Sequence, residues 1–131
     1  MMTGKCQCGA IRYSITGEPA YSAICHCSDC RASSGAPMTG WALFPQDAVT
    51  IEGDPVLYRS SDNATRHFCG RCGTGLFYTN PIIFPGAIDI QTATLDDPAA
   101  LPPQVHVQMA EAMPWIETMW ALPKFDRYPQ E

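Results

Sequence analysis

"ICHCSDCR", residues 24–31, sets three cysteines, a histidine, an aspartate and an arginine within eight positions. In an extended chain residues i and i+2 project from one face, so Cys25 and Cys27 can grip one ion while His26 points away. Cys30 rejoins them after a short turn: Ser28 is expected to cap a turn or two of helix through "DCRASS", which Gly35 ends in the left-handed conformation. The stretch reads as a metal clasp with one short helix.

Outward from this octet, the chain carries four more cysteines, Cys6, Cys8, Cys69 and Cys72, for a total of seven. An odd number in a reducing compartment argues for metal ligation over a disulfide framework. "CGRCG", residues 69–73, has the zinc-knuckle arrangement, in which a tight turn aims two thiols at one cation and glycines take the unusual backbone angles. Cys6 and Cys8 repeat the i, i+2 pattern. Structural zinc takes four thiolate or imidazole ligands and working zinc keeps three, so seven thiols satisfy one of each. Spacing does not say which pair joins "CGRCG". Cys6 and Cys8 are favoured, because Cys25, Cys27 and Cys30 are close enough to form a set unaided, but two members of that set are the alternative. A single four-cysteine site with the other thiols buried is a further alternative. A thioredoxin-like reading of "CSDC" lacks its βαβ context.

Twelve prolines and ten glycines leave little room for long helices, and short strands fit the intervals. Alternation marks "AIRYSI", "TIEG", "TGLFYT" (Leu76 and Tyr78 against Phe77) and "AIDIQT", where Ile88 and Ile90 share a face. "MTGWALF" and "QVHVQM" are further candidates. Eight to ten strands are expected, in a single mainly β domain over residues 1–131, with "DDPAALPP" (96–103) as a proline-bounded turn. The formal charge of -5 speaks against nucleic acid and anionic membranes as partners. "MMTGKCQCGA" lacks the apolar core of a signal peptide and no stretch is long and apolar enough to span a bilayer, so a cytoplasmic protein is expected.

Three thiolates on Zn²⁺ leave one net negative charge, a site better suited to holding sulfur than to making hydroxide. A thiol entering it arrives as a nucleophile at neutral pH, and the matching chemistry is thiolate addition to an electrophilic carbon, or its reversal. Arg31 could offset the cluster or clamp a substrate carboxylate. Ser34 and Gly35, in "SSGA", could hold the polar ends of a peptide-like ligand. His67 and His106 are candidate proton shuttles. Trp41, Phe44, Trp115 and Trp120 are left without a role.

Together "GKCQCGAIRY", "CHCSDCRASSGA", "HFCGRCGTGLF" and "VHV" followed by Trp115 resemble the glutathione-dependent formaldehyde-activating enzyme family, also called the centromere protein V/GFA family, from Gly4 to about Trp115. The resemblance implies an Mss4-like β fold. It implies a structural zinc at Cys6, Cys8, Cys69 and Cys72 and a catalytic zinc at Cys25, Cys27 and Cys30. It implies a carbon–sulfur lyase that joins glutathione to formaldehyde as S-hydroxymethylglutathione. A noncatalytic zinc module that binds a thiol adduct or a protein partner, and a redox-controlled metal store, are the competing expectations.

Overall fold

A computed structural model describes residues 1–129. The sequence alternations become ten short strands among the described residues: β1 (Met2–Lys5), β2 (Arg12–Ile15), β3 (Tyr21–Cys25), β4 (Thr39–Pro45), β5 (Val49–Glu52), β6 (Val56–Arg59), β7 (Thr65–Phe68), β8 (Gly75–Thr79), β9 (Ala87–Gln91) and β10 (Val105–Val107). Proline or glycine adjoins several of them, as Gly53 does after β5, Pro55 before β6 and Gly86 before β9. Among the described residues the one α-helix, α1 (Ser28–Ser34), follows β3 across the cysteine octet, and the other helical pieces are single 3₁₀ turns.

The strands form two sheets. β1, β2 and β5 make an antiparallel three-stranded sheet, and the seven-stranded sheet runs β10-β3-β4-β9-β8-β7-β6. Every pair is antiparallel except β10 with β3, which are parallel. Gly4, opposite Tyr13 in the β1–β2 ladder, lets the phenol ring lie across β1, because a Cβ there would stand 2.2 Å from the ring. Tyr13 thereby reaches Thr94 with a 2.7 Å hydroxyl hydrogen bond.

Strand pleating divides the large sheet into two working faces. Ala42, Phe44, Phe77, Ile88 and Ile90 turn toward Ile11, Tyr13 and Ile15 of the small sheet and form the main core. Full burial of side chains such as Phe44 and Phe77 contributes about 2–3 kcal/mol each. "AIDIQT" alternates as read. In "TGLFYT" the reading holds only in part: Leu76 joins Phe77 in the core, beside the irregularity in the β7–β8 pairing, and Tyr78 turns to the opposite face. That face carries Arg66, Tyr78, Asp89, Leu43 and Tyr21 in one continuous ladder row across five strands. The helix α1 closes over it.

Gly35 ends α1 with φ 66°, and its N–H reaches the Arg31 carbonyl at 2.8 Å, as the sequence indicates. The N-cap differs. It is Cys27, whose sulfur accepts the Cys30 N–H at 3.3 Å, while Ser28 is the first helical residue and donates its N–H to Glu111 Oε1 at 2.9 Å. A sulfur already turned toward Cys30 is placed to accept that N–H, so the serine is displaced from the cap by the cluster it precedes.

Candidate metal centre

Two loops brought together by the fold build the first thiol group. After β1 the chain makes a tight turn in which Gly9 N–H reaches the Cys6 carbonyl at 3.1 Å, with Cys6 buried and Cys8 exposed. Between β7 and β8, Gly73 takes φ 82° and bonds back to the Cys69 carbonyl at 2.8 Å, which turns Cys69 and Cys72 inward. Thr74 ties the loops, accepting the Gln7 N–H at 3.1 Å while its hydroxyl lies 3.2 Å from Cys72 Sγ.

The four sulfurs all lie within 4.8 Å of one another. Cys6 and Cys8 Sγ are 3.6 Å apart, and Cys8 and Cys69 Sγ are 3.8 Å apart. Zinc–sulfur bonds of about 2.3 Å in a tetrahedron set sulfur–sulfur edges of about 3.8 Å, so the group has the dimensions of a tetrathiolate zinc site. Backbone N–H groups point at its sulfurs, from Ile11 to Cys6 at 3.3 Å and from Arg71 to Cys69 at 3.4 Å, an arrangement that favours thiolates.

The second group is local. Cys25 ends β3, Cys27 caps α1, Cys30 lies in its first turn, and the three sulfurs again fall within 4.8 Å of each other. Among the described residues no fourth histidine, cysteine, aspartate or glutamate joins them. His26 points away, as the i, i+2 argument requires: it is fully buried, with Nε2 2.9 Å from His106 Nδ1. All three thiols line a cavity of about 290 Å³ that also meets Arg66, Tyr78 and Asp89. A second cavity of about 460 Å³ shares Asp29, Trp41 and Arg66 with the first and extends past His67 and Phe77.

The sequence profile of the family described as "glutathione-dependent formaldehyde-activating enzyme" matches residues 1–111, which contain all seven cysteines. The chain belongs to this family. A Halomonas elongata protein provisionally named a glutathione-dependent formaldehyde-activating enzyme is 29% identical over 129 residues, covering 89% of this chain and 80% of the relative. An uncharacterized lyase of Schizosaccharomyces pombe is 34% identical over 79 residues, covering 59% of this chain and 58% of its own length. The crystal structure of a Rhodobacter sphaeroides protein superposes with a TM-score of 0.64 at 24% identity, covering 81% of this chain and all of that one, a likeness of fold.

In this member of the glutathione-dependent formaldehyde-activating enzyme family each thiol group holds one sulfur well below the ordinary thiol range, and in the four-thiol group hydrogen bonds from Thr74 lower Cys72 to about 5. Cys30 is held as the thiolate of its trio, lowered to about 5 by hydrogen bonds from Cys25 and then Cys27, and by Arg66, whose Nη2 lies 3.7 Å from its sulfur. The Cys25 thiol is pushed up correspondingly, first by Cys30 and then by burial. Arg66 is itself buried and stacks over the Tyr78 ring at 5.1 Å, so its charge is delivered to the trio through a fixed geometry.

The other residues singled out from sequence have different placements. Arg31 Nη1 donates to the carbonyls of His26 and Glu111, each at 2.6 Å, and the side chain lines neither cavity. Ser34 Oγ donates to the Cys30 carbonyl at 2.7 Å, Gly35 is the helix C-cap, and neither lines a cavity, whereas Ser33 lines the larger one. His67 lines that cavity, 3.1 Å from Thr79 Oγ1, and burial lowers its pKa. Of the four aromatics, Trp41 walls both cavities, Phe44 is core, and Trp115 and Trp120 are exposed. Arg66 and Asp89 were missed. For Asp89 a signal existed, a carboxylate alternating with Ile88 and Ile90 in an otherwise apolar strand.

Proposed function

We propose that this chain is a zinc-dependent enzyme of the carbon–sulfur lyase type, joining glutathione or another small thiol to formaldehyde and cleaving the adduct. In this reading Cys6, Cys8, Cys69 and Cys72 hold a structural zinc, and Cys25, Cys27 and Cys30 hold a catalytic one. The observation that carries it is that the three-thiol group stands in the wall of a cavity with no fourth ligand among the described residues, while the four-thiol group is complete and keeps Cys6 and Cys69 in the core. The family match and the names of the relatives support the same chemistry.

Cys25, Cys27 and Cys30 would hold the zinc, which would supply Lewis acidity favouring the thiolate form of an incoming thiol near neutral pH. The protein's own residues do the rest. Arg66 offsets the negative charge of Cys30 and so keeps the trio from repelling a second sulfur anion. Trp41 and Tyr78, edge to face at 6.0 Å between ring centroids, wall the cavity beside the thiols and limit water there. Arg31 fastens the loop at His26 to the segment carrying Glu111, which fixes the angle at which Cys25 and Cys27 are presented. In the reaction the thiol sulfur bonds to the aldehyde carbon, the π pair of the carbonyl moves to oxygen, and that oxygen gains a proton.

Replacing Cys27 with Ser tests the reading. Turnover of glutathione and formaldehyde should be abolished while the circular dichroism spectrum and the melting temperature stay close to the parent's. Metal analysis should find about two zinc ions per parent chain and about one in the variant. A variant with parental turnover would overturn the assignment.

A further inference from the structure

Asp89 occupies the middle of β9, between two isoleucines that belong to the core. Its own side chain lies on the opposite face, in the ladder row flanked by Tyr78 and Arg66 on one side and Leu43 and Tyr21 on the other. It is 6% exposed, and its Oδ1 is sealed with no hydrogen-bond partner. A buried carboxyl without a partner is unfavourable for folding, and an apolar side chain would suit that place in the sheet better. The cavity it lines is the one whose wall holds Cys25, Cys27 and Cys30. Arg66, the cation of this cavity, is directed at Cys30 and the Tyr78 ring.

We propose that Asp89 is a catalytic residue of this site, giving a proton to the carbonyl oxygen of the aldehyde as the thiolate sulfur bonds to its carbon, and taking it back when the adduct is cleaved. This rests on the thiol–aldehyde reading above. In the forward direction the C–S bond forms, the carbonyl π pair becomes a lone pair on oxygen, and the carboxyl proton makes that oxygen a hydroxyl. The proton released by the thiol restores the acid through water, and nothing is oxidised or reduced. Burial, and secondarily the negative charge of Cys30, raise the Asp89 carboxyl to about 7, so it still holds a proton near neutral pH. The titratable and charged groups lining the cavity with it are Tyr21 and Cys25 of β3, Cys27, Asp29 and Cys30 at α1, Arg66 of β7, Tyr78 of β8, and Glu111.

The test uses the full zinc-loaded chain and two-dimensional exchange NMR on S-hydroxymethylglutathione in equilibrium with glutathione and formaldehyde, read above the spontaneous rate. Asp89→Asn keeps the shape and removes the acid. We expect kcat to fall by about 100-fold with KM within about threefold. Zinc content should not change, and the melting temperature at pH 8 should equal or exceed the parent's. A residue that only supported the fold would lose stability along with rate, and that result overturns the proposal, as does a kcat within about threefold of the parent's. If Asp89→Asn does not fold, Asp89→Ala assayed with added acetate decides: recovery of rate supports the role and no recovery overturns it. Acceleration in the parent that survives in Asp89→Asn removes this proposal alone. A parent that does not accelerate the exchange removes the thiol–aldehyde reading and this proposal with it.

Discussion

The two thiol groups use the same side chain for opposite architectural ends. The four-thiol group closes contacts 61 residues apart, between Cys8 and Cys69, and two of its members, Cys6 and Cys69, sit in the main core with Phe77 and Ile88. The three-thiol group spans six consecutive residues, Cys25 to Cys30, and packs with Trp41, Tyr78 and Val107 on the far face of the large sheet. A cross-link over a long loop removes much freedom from the unfolded chain, whereas a clasp within a short turn removes little. The first group is therefore expected to hold the fold, and the second is free to do chemistry.

The strongest way to break this contrast is to remove one thiol from each. Cys69→Ser should cost more than about 4 kcal/mol, enough to leave the chain largely unfolded, read by thermal melting and metal content. An ordered, zinc-depleted Cys69→Ser protein would show that the two groups are alike. Cys27→Ser should instead lower turnover by at least about 100-fold and shift the melting temperature by only a few degrees.

Arg66→Leu sharpens the comparison by removing charge beside the trio and none beside the four-thiol group. We expect a loss of about 10- to 100-fold in turnover or in affinity for the more weakly held zinc, the size usual for a residue that orients metal ligands. Competition between the zinc-loaded chain and a chromophoric chelator reads the two groups separately, and equal weakening of both would contradict the proposed assignment.

The smallest effect is a dependence of stability on pH. Asp89 has its carboxyl raised to about 7 from 3.8 in the folded chain. Between those values the folded form binds more protons than the unfolded one, so this group's contribution is fully present below pH 4 and is lost as pH rises through 7. Asp89→Asn should gain stability relative to the parent as pH rises from 4 to 8, by urea denaturation at several pH values. A difference independent of pH would mean that the carboxyl is not perturbed.

Much of this architecture was legible in residues alone. The i, i+2 thiol pairs predicted the direction of His26, Gly35 ended the helix where a left-handed residue was needed, and the alternation of Ile88 and Ile90 marked a core face. The residues expected to contact substrate line neither of the two cavities. Arg31, Ser34 and Gly35 attract notice because they adjoin the cysteines in sequence, yet a residue next to a ligand in a short helix commonly bonds its own backbone, as Arg31 and Ser34 do here.

The breaker spacing determined by itself that this would be a mainly β chain, and the cysteine pattern favoured two thiol groups over one, because both are short-range properties fixed by backbone geometry. Tertiary structure alone decided that Cys6 and Cys8 meet Cys69 and Cys72, and that Arg66, Tyr78 and Asp89 stand in one row before the trio. Those juxtapositions depend on strand register, and a slip of one residue would turn every side chain of a strand to the other face of its sheet.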